Sequence, residues 1–91
     1  MQRSISIIIT GKVQGVFFRQ SAKEKALELG LTGQAKNQGN GNVHIIVSGT
    51  GEQLAKFSDW CKTGPSRAVV TGMEITELPL KLFDHFTIVR F

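Results

Sequence analysis

Arg19 is the first residue that invites chemistry, because of what stands in front of it. Gly11-Lys12-Val13-Gln14-Gly15-Val16-Phe17-Phe18 carries two glycines and then two phenylalanines against the arginine. A planar, permanently charged guanidinium grips a tetrahedral oxyanion at two points, which an ammonium cannot do. If a helix begins near Phe18, the unpaired N–H groups of Gly15, Val16, Phe17, Phe18 and Arg19 converge at its positive end and form a nest for an anion. The guest expected there is phosphate, with sulfate as a stand-in, and Lys12 and Lys36 would add positive charge around it. On these residues alone a plainer reading stays open: a glycine turn beside a solvated arginine.

One other constellation competes. Cys61 and Arg67 satisfy the Cys-x5-Arg spacing of cysteine-dependent phosphatases, in which the thiolate follows a strand and faces a helix N-terminus that lowers its pKa. Cys61 instead falls in the last turn of a predicted helix, on the stripe of Leu54 and Phe57, where the helix dipole disfavours a thiolate. It reads as a small buried apolar residue. Around the glycine loop there are no paired carboxylates and no metal-ligand cluster, and His44 and His85 fall in separate predicted strands.

The elements on either side must deliver this loop to a defined place. Ser4-Ile5-Ser6-Ile7-Ile8-Ile9 puts Ile5, Ile7 and Ile9 on one face of a strand. Phe18, Ala22, Ala26 and Leu29 recur at helical spacing, with charged residues between them and Gly30 as a stop. Ser21 and Glu24 could form a capping box starting that helix at Ala22, but the apolar stripe reaches back to Phe18 and favours the earlier start. Residues 31–36 and 43–48 read as hairpin strands around the turn "NQGNGN". A second helix carries Leu54, Phe57 and Cys61, with Thr50 as its cap and Gly64-Pro65 as its stop. A fourth strand is expected over 67–77, and Phe86, Ile88 and Phe91 mark the last. The phenylalanines read as core. Strand-helix-strand twice over, with one further strand, predicts an α+β ferredoxin-like sandwich: an antiparallel sheet with two helices on one face, in one domain over residues 1–91.

At the level of motifs, "ITGKVQGVFFR" resembles the first signature of the acylphosphatases, and "GQAKNQGNGNVHIIVSG" resembles the second. The likeness runs over essentially the whole chain. It implies hydrolysis of acyl phosphates to a carboxylate and inorganic phosphate, with no metal or other cofactor. It also implies that Arg19 binds the phosphoryl group and that Asn37 positions the attacking water. Apart from the resemblance, Asn37 reads as a turn residue leading into Gly39 and Gly41. Gln34, where the family usually has an aromatic residue, and Phe91, where tyrosine is commoner, depart from the pattern in ways that concern packing. The missing general acid suits this substrate, because the carboxylate of a mixed anhydride leaves unprotonated and positioning with charge stabilisation suffices. A catalytically silent phosphate-binding or regulatory module of the same fold is the alternative.

Composition sets the remaining bounds. With 41% hydrophobic and 20% charged residues, the 91-residue chain can bury a core. A single cysteine cannot close an internal disulfide, so packing must hold the fold, as suits the cytoplasm. No leader pattern and no stretch of membrane-spanning length is present, so no membrane partner is expected. The net charge of +4 is spread along the chain without a Lys/Arg run, and no nucleic-acid partner is expected. An RNA-recognition module shares the order of elements but needs stacking aromatics on its central strands. The segment "NVHIIVSG" has none. The expected protein is a monomer acting on a small acyl phosphate.

Overall fold

A computed structural model describes residues 1–90; Phe91, assigned above to the last strand, lies outside the described residues. The elements are β1 (Gln2–Lys12), α1 (Phe18–Leu29), β2 (Thr32–Asn37), β3 (Val43–Thr50), α2 (Gly51–Cys61), β4 (Val69–Leu78) and β5 (Phe86–Val89). The strands form one sheet in the order β4-β1-β3-β2-β5. β1 pairs antiparallel with β3 and β4, and β2 pairs antiparallel with β3. This is the ferredoxin-like arrangement, with each helix bridging two parallel strands that have a third between them.

Alternation decides which face the helices cover. Ile5, Ile7 and Ile9 of β1 and Val43, Ile45 and Val47 of β3 are all buried, and they meet Phe18, Ala22 and Ala26 of α1 and Leu54, Phe57 and Cys61 of α2 in one core. Each large side chain taken fully out of water contributes about 1.5–3 kcal/mol, which lets a short chain without disulfides hold its shape. α2 begins as expected at Thr50, whose hydroxyl accepts from Gln53 N–H at 3.2 Å while the Gln53 side chain accepts from Thr50 N–H at 2.8 Å. That reciprocal pair satisfies two donors the helix would otherwise leave open.

The structure corrects the sequence reading in several places. The sheet is mixed, because β5 pairs parallel with β2, Ala35 opposite Ile88 and Lys36 opposite Val89. β4 and β5 occupy opposite edges, so the chain crosses from one edge to the other between residues 79 and 85. Two buried serines on the face away from the helices tie that crossing down. Ser4 and Ser48 are paired in register across β1 and β3 and lie 2.6 Å apart, and Ser4 Oγ accepts Lys81 N–H at 2.8 Å while Ser48 Oγ donates to the Lys81 carbonyl at 2.7 Å. β1 runs on through Gly11, which therefore belongs to a strand rather than to the loop. The register shifts there, Gly11 adopts φ 126°, and a Cβ at that position would overlap the Val69 carbonyl. β2 begins and ends one residue later than expected, so Asn37 is its last residue, opposite Val43, and is not part of the turn. β4 covers Val69–Leu78. α2 stops at Cys61, ahead of Gly64-Pro65, because the Thr63 and Gly64 N–H groups fold back onto the Trp60 carbonyl at 3.1 and 2.9 Å. His85 precedes β5, and its carbonyl accepts Gly33 N–H at 3.2 Å.

Candidate active site

α1 starts at Phe18, the earlier of the two expected positions, and it starts uncapped. Its N-cap residue is Phe17, whose side chain has no acceptor, and its first turn carries no acidic residue. The helical ladder opens with Ser21 N–H on the Phe17 carbonyl at 3.0 Å, and among the described residues none of the N–H groups from 15 to 20 has a hydrogen-bond partner. Glu24 takes no part in capping: its carboxylate accepts from the Gln20 side chain at 3.3 Å. Gly15 at φ 73° and Phe17 at φ 63° both lie in the left-handed region and bracket Val16. Left-handed residues of this kind turn successive N–H groups into a shared concavity. For phenylalanine that conformation costs about 1–2 kcal/mol.

The loop is anchored by alternate side chains. Val16 and Phe18 are buried, and the Phe18 ring packs at 5.5 Å from that of Trp60. Phe17 points the other way and is 69% exposed, which corrects its assignment to the core. Arg19 follows as the second residue of α1, half-buried, with its Nη1 donating to the Val89 carbonyl at 3.3 Å. Thus the parallel docking of β5 against β2 supplies the group that holds this arginine. Arg19, Gly15 and Asn37 face one cleft of about 430 Å³, whose remaining walls include Arg90 and the apolar residues Val13, Phe17, Phe18 and Ile88. A recess within the same region is lined by Arg19, Asn37, Val89 and Arg90. Among the described residues no carboxylate and no histidine lines the cleft.

A site of this composition sits on a chain whose relatives can now be set beside it. The acylphosphatase family model matches residues 5–88. The chain belongs to the acylphosphatase family. It is 47% identical over 73 residues to an acylphosphatase of Marinobacter nauticus, a match that covers 80% of this chain and 79% of that protein. Among solved structures, an acylphosphatase from Coxiella burnetii superposes with a TM-score of 0.94 at 34% identity, over 97% of this chain and 93% of its own. That from Bacillus subtilis gives 0.89 at 35% identity, over 99% and 100% respectively.

Two residues near the acylphosphatase motifs escape a reading of the sequence alone. Arg90 is the second cation of the cleft, in place of Lys12 and Lys36, neither of which lines it. Its placement follows from the parallel pairing of Lys36 with Val89, which brings Asn37, the last residue of β2, and Arg90, just past the end of β5, to one recess. The other is Gln14, whose amide nitrogen donates to the carbonyls of Gln38 and Asn42 at 2.8 and 2.9 Å. Both partners are acceptors, so the NH2 end is fixed, and the turn that follows Asn37 is clamped to the loop that precedes Arg19. A Gln one residue before a positive-φ glycine is the signal that was available.

The other titratable groups lie elsewhere. His44 accepts or donates a 2.7 Å bond with Ser6 Oγ, and burial, followed by the charge of Lys36, lowers its pKa. Among the described residues no three His, Cys, Asp or Glu side chains gather to hold a metal ion. Cys61 is buried in the core, as its place on the stripe of Leu54 and Phe57 predicts, and desolvation pushes its thiol far above its usual value. Cys61→Ser should therefore cost stability, about 1–3 kcal/mol for a buried hydroxyl with an incomplete set of partners, while turnover per folded molecule stays at the wild-type level. Active-site titration alongside chemical denaturation checks both halves, and a folded but inactive Cys61→Ser protein would restore the thiol mechanism.

Proposed function

We propose that this acylphosphatase-family chain hydrolyses acyl phosphates in the cleft at the start of α1, with Arg19 and the N–H groups of Gly15, Val16, Phe17, Phe18 and Arg19 holding the phosphoryl oxygens. Asn37 offers its side-chain oxygen to a water in line with the leaving carboxylate. The observation that carries this reading is the convergence of Arg19, the uncapped helix start and Asn37 on one cleft. Water attacks phosphorus, the P–O bond to the acyl group breaks, the water's proton ends on an oxygen of the phosphate formed, and carboxylate and inorganic phosphate leave. Arginine and fixed N–H dipoles stabilise the charge on the transferring group, and their alignment before the reaction is what makes them effective. A carboxylate needs no proton to depart, so a cleft lined, among the described residues, by neither an acidic side chain nor a histidine is chemically sufficient. We read the protein as a metal-independent monomer of the cytoplasm, free of nucleic-acid and membrane partners, with phosphate or sulfate as competing ligand. The lone buried cysteine and the absence of a Lys/Arg run support that setting.

Release of phosphate from acetyl phosphate, measured beside an alkyl phosphate ester and with chelator present, tests the reaction. Rapid hydrolysis of the anhydride alone is expected, and equal rates on both substrates would overturn it. Binding is testable without turnover. Phosphate held by the folded protein alone stabilises it by RT ln(1 + [L]/Kd), ~1.4 kcal/mol at ten times Kd. In a domain of this size each kcal/mol moves the melting midpoint by roughly 4–8 °C. Sulfate should act alike, and sodium chloride at matched ionic strength should not.

A further inference from the structure

We infer that the Phe17 side chain is the wall against which the acyl group of the substrate lies, making it a specificity-determining residue that favours aryl and larger apolar acyl phosphates over acetyl phosphate. This deepens the acyl-phosphate reading of the cleft and rests on it. Three observations meet at this residue. Phe17 is 69% exposed while both of its neighbours, Val16 and Phe18, are buried. It occupies the left-handed region at φ 63°, ψ 27°, a conformation that glycine would adopt without strain and that a bulky side chain adopts only when its surroundings impose it. And it lines the same cleft as Arg19, Asn37 and Gly15. A strained, outward-facing phenyl adds nothing to the core. An isolated exposed apolar residue needs no explanation, but this one stands at the mouth of an anion nest whose ligand must carry an organic group.

The cleft divides by chemistry in a way that suits such a ligand. Gly15, Arg19, Asn37 and Arg90 supply its polar side, and Phe17 and Ile88 are solvent-accessible parts of its apolar side. A phosphoryl group bound at the helix start leaves the rest of an acyl phosphate pointing outward past the N-cap, and the N-cap residue is Phe17. An aryl group stacked on the phenyl gains both area burial and ring contact, whereas a methyl group reaches little of it. The backbone N–H of residue 17 serves phosphate whatever the side chain, so the two contributions of this position can be separated.

The test compares non-hydrolysable benzoylphosphonate with acetylphosphonate, by calorimetric titration into the wild type, Phe17→Gly and Phe17→Leu. Phosphonates are used because the intrinsic reactivities of acyl phosphates differ. Phe17→Gly keeps the left-handed turn without strain, so the variant folds. The wild type should bind benzoylphosphonate about 5- to 20-fold more tightly than acetylphosphonate, of the order that one well-placed apolar contact supplies. In Phe17→Gly the ratio should fall to within about twofold, because any change that the freer backbone makes to phosphate binding is common to both ligands and cancels in the ratio; Phe17→Leu should lie between. An unchanged ratio in Phe17→Gly, or no discrimination in the wild type, overturns the inference. If discrimination is present and depends on Phe17 but neither acyl phosphate is hydrolysed, the inference stands and the catalytic reading fails.

Discussion

Replacing Arg19 with alanine should lower turnover by a factor on the order of 10³–10⁵, the range seen when an arginine is withdrawn from a transferring phosphoryl group, and should abolish the phosphate-induced rise in melting midpoint. The two losses belong together because in the proposed site the same guanidinium faces the ligand before and during reaction. The fold should survive, since Arg19 is half-buried at the first turn of α1 and gives up one 3.3 Å bond to the Val89 carbonyl. Arg19→Lys should fail almost as badly: a single ammonium cannot reproduce a two-point fork. Kinetics on acetyl phosphate and melting curves in phosphate against chloride measure both effects. Near-normal turnover in the alanine variant, or an equal phosphate shift in variant and wild type, would sink the assignment. In the second case phosphate would be acting as an excluded cosolute.

Asn37→Ala separates the two proposed roles. A residue that orients the attacking water contributes more in the transition state than in substrate binding. Its loss should lower kcat by about 10²–10³, as removal of one transition-state hydrogen-bonding group does, with phosphate affinity little altered. The position is tolerant, because Asn37 ends β2 and pairs through its backbone with Val43, which alanine preserves. The decisive comparison is kcat against the phosphate inhibition constant. A variant that keeps kcat and loses phosphate affinity would move Asn37 from the water to the anion.

What could be read before folding, and what could not, divides along the range of the interactions involved. The stripe Phe18-Ala22-Ala26-Leu29 is a local pattern, and it gave the start of α1 correctly against a competing capping box at Ser21 and Glu24. Thr50 as the cap of α2, and Cys61 on the face of Leu54 and Phe57, were legible for the same reason. Asn37 was not legible from physics: within "NQGNGN" an asparagine looks like a turn former, and only resemblance to a known motif singled it out. Arg90 was hidden altogether, because nothing near it in sequence says that β5 lies parallel beside β2. An edge strand of four residues takes its neighbour and direction from long-range packing. Phe17 misled in another way. Hydrophobic residues are usually inside, but its side is set by the backbone conformation of the loop, which residue type alone does not reveal.

The bond from Arg19 to Val89 ties the proposed chemistry to the end of a short edge strand. β5 is four residues long and has a strand on one side only, and beyond the buried Phe86 its residues are at least partly exposed, so fraying of that end costs less than melting the core, and such partial openings are populated in native proteins. Each opening takes away the carbonyl that aims the guanidinium and carries off Arg90 as well. The competent fraction of molecules is then smaller than the folded fraction. Mild warming would drain activity before spectroscopy registers any unfolding, and a substitution that merely loosens β5 would present as a catalytic lesion in a protein that passes every test of folding.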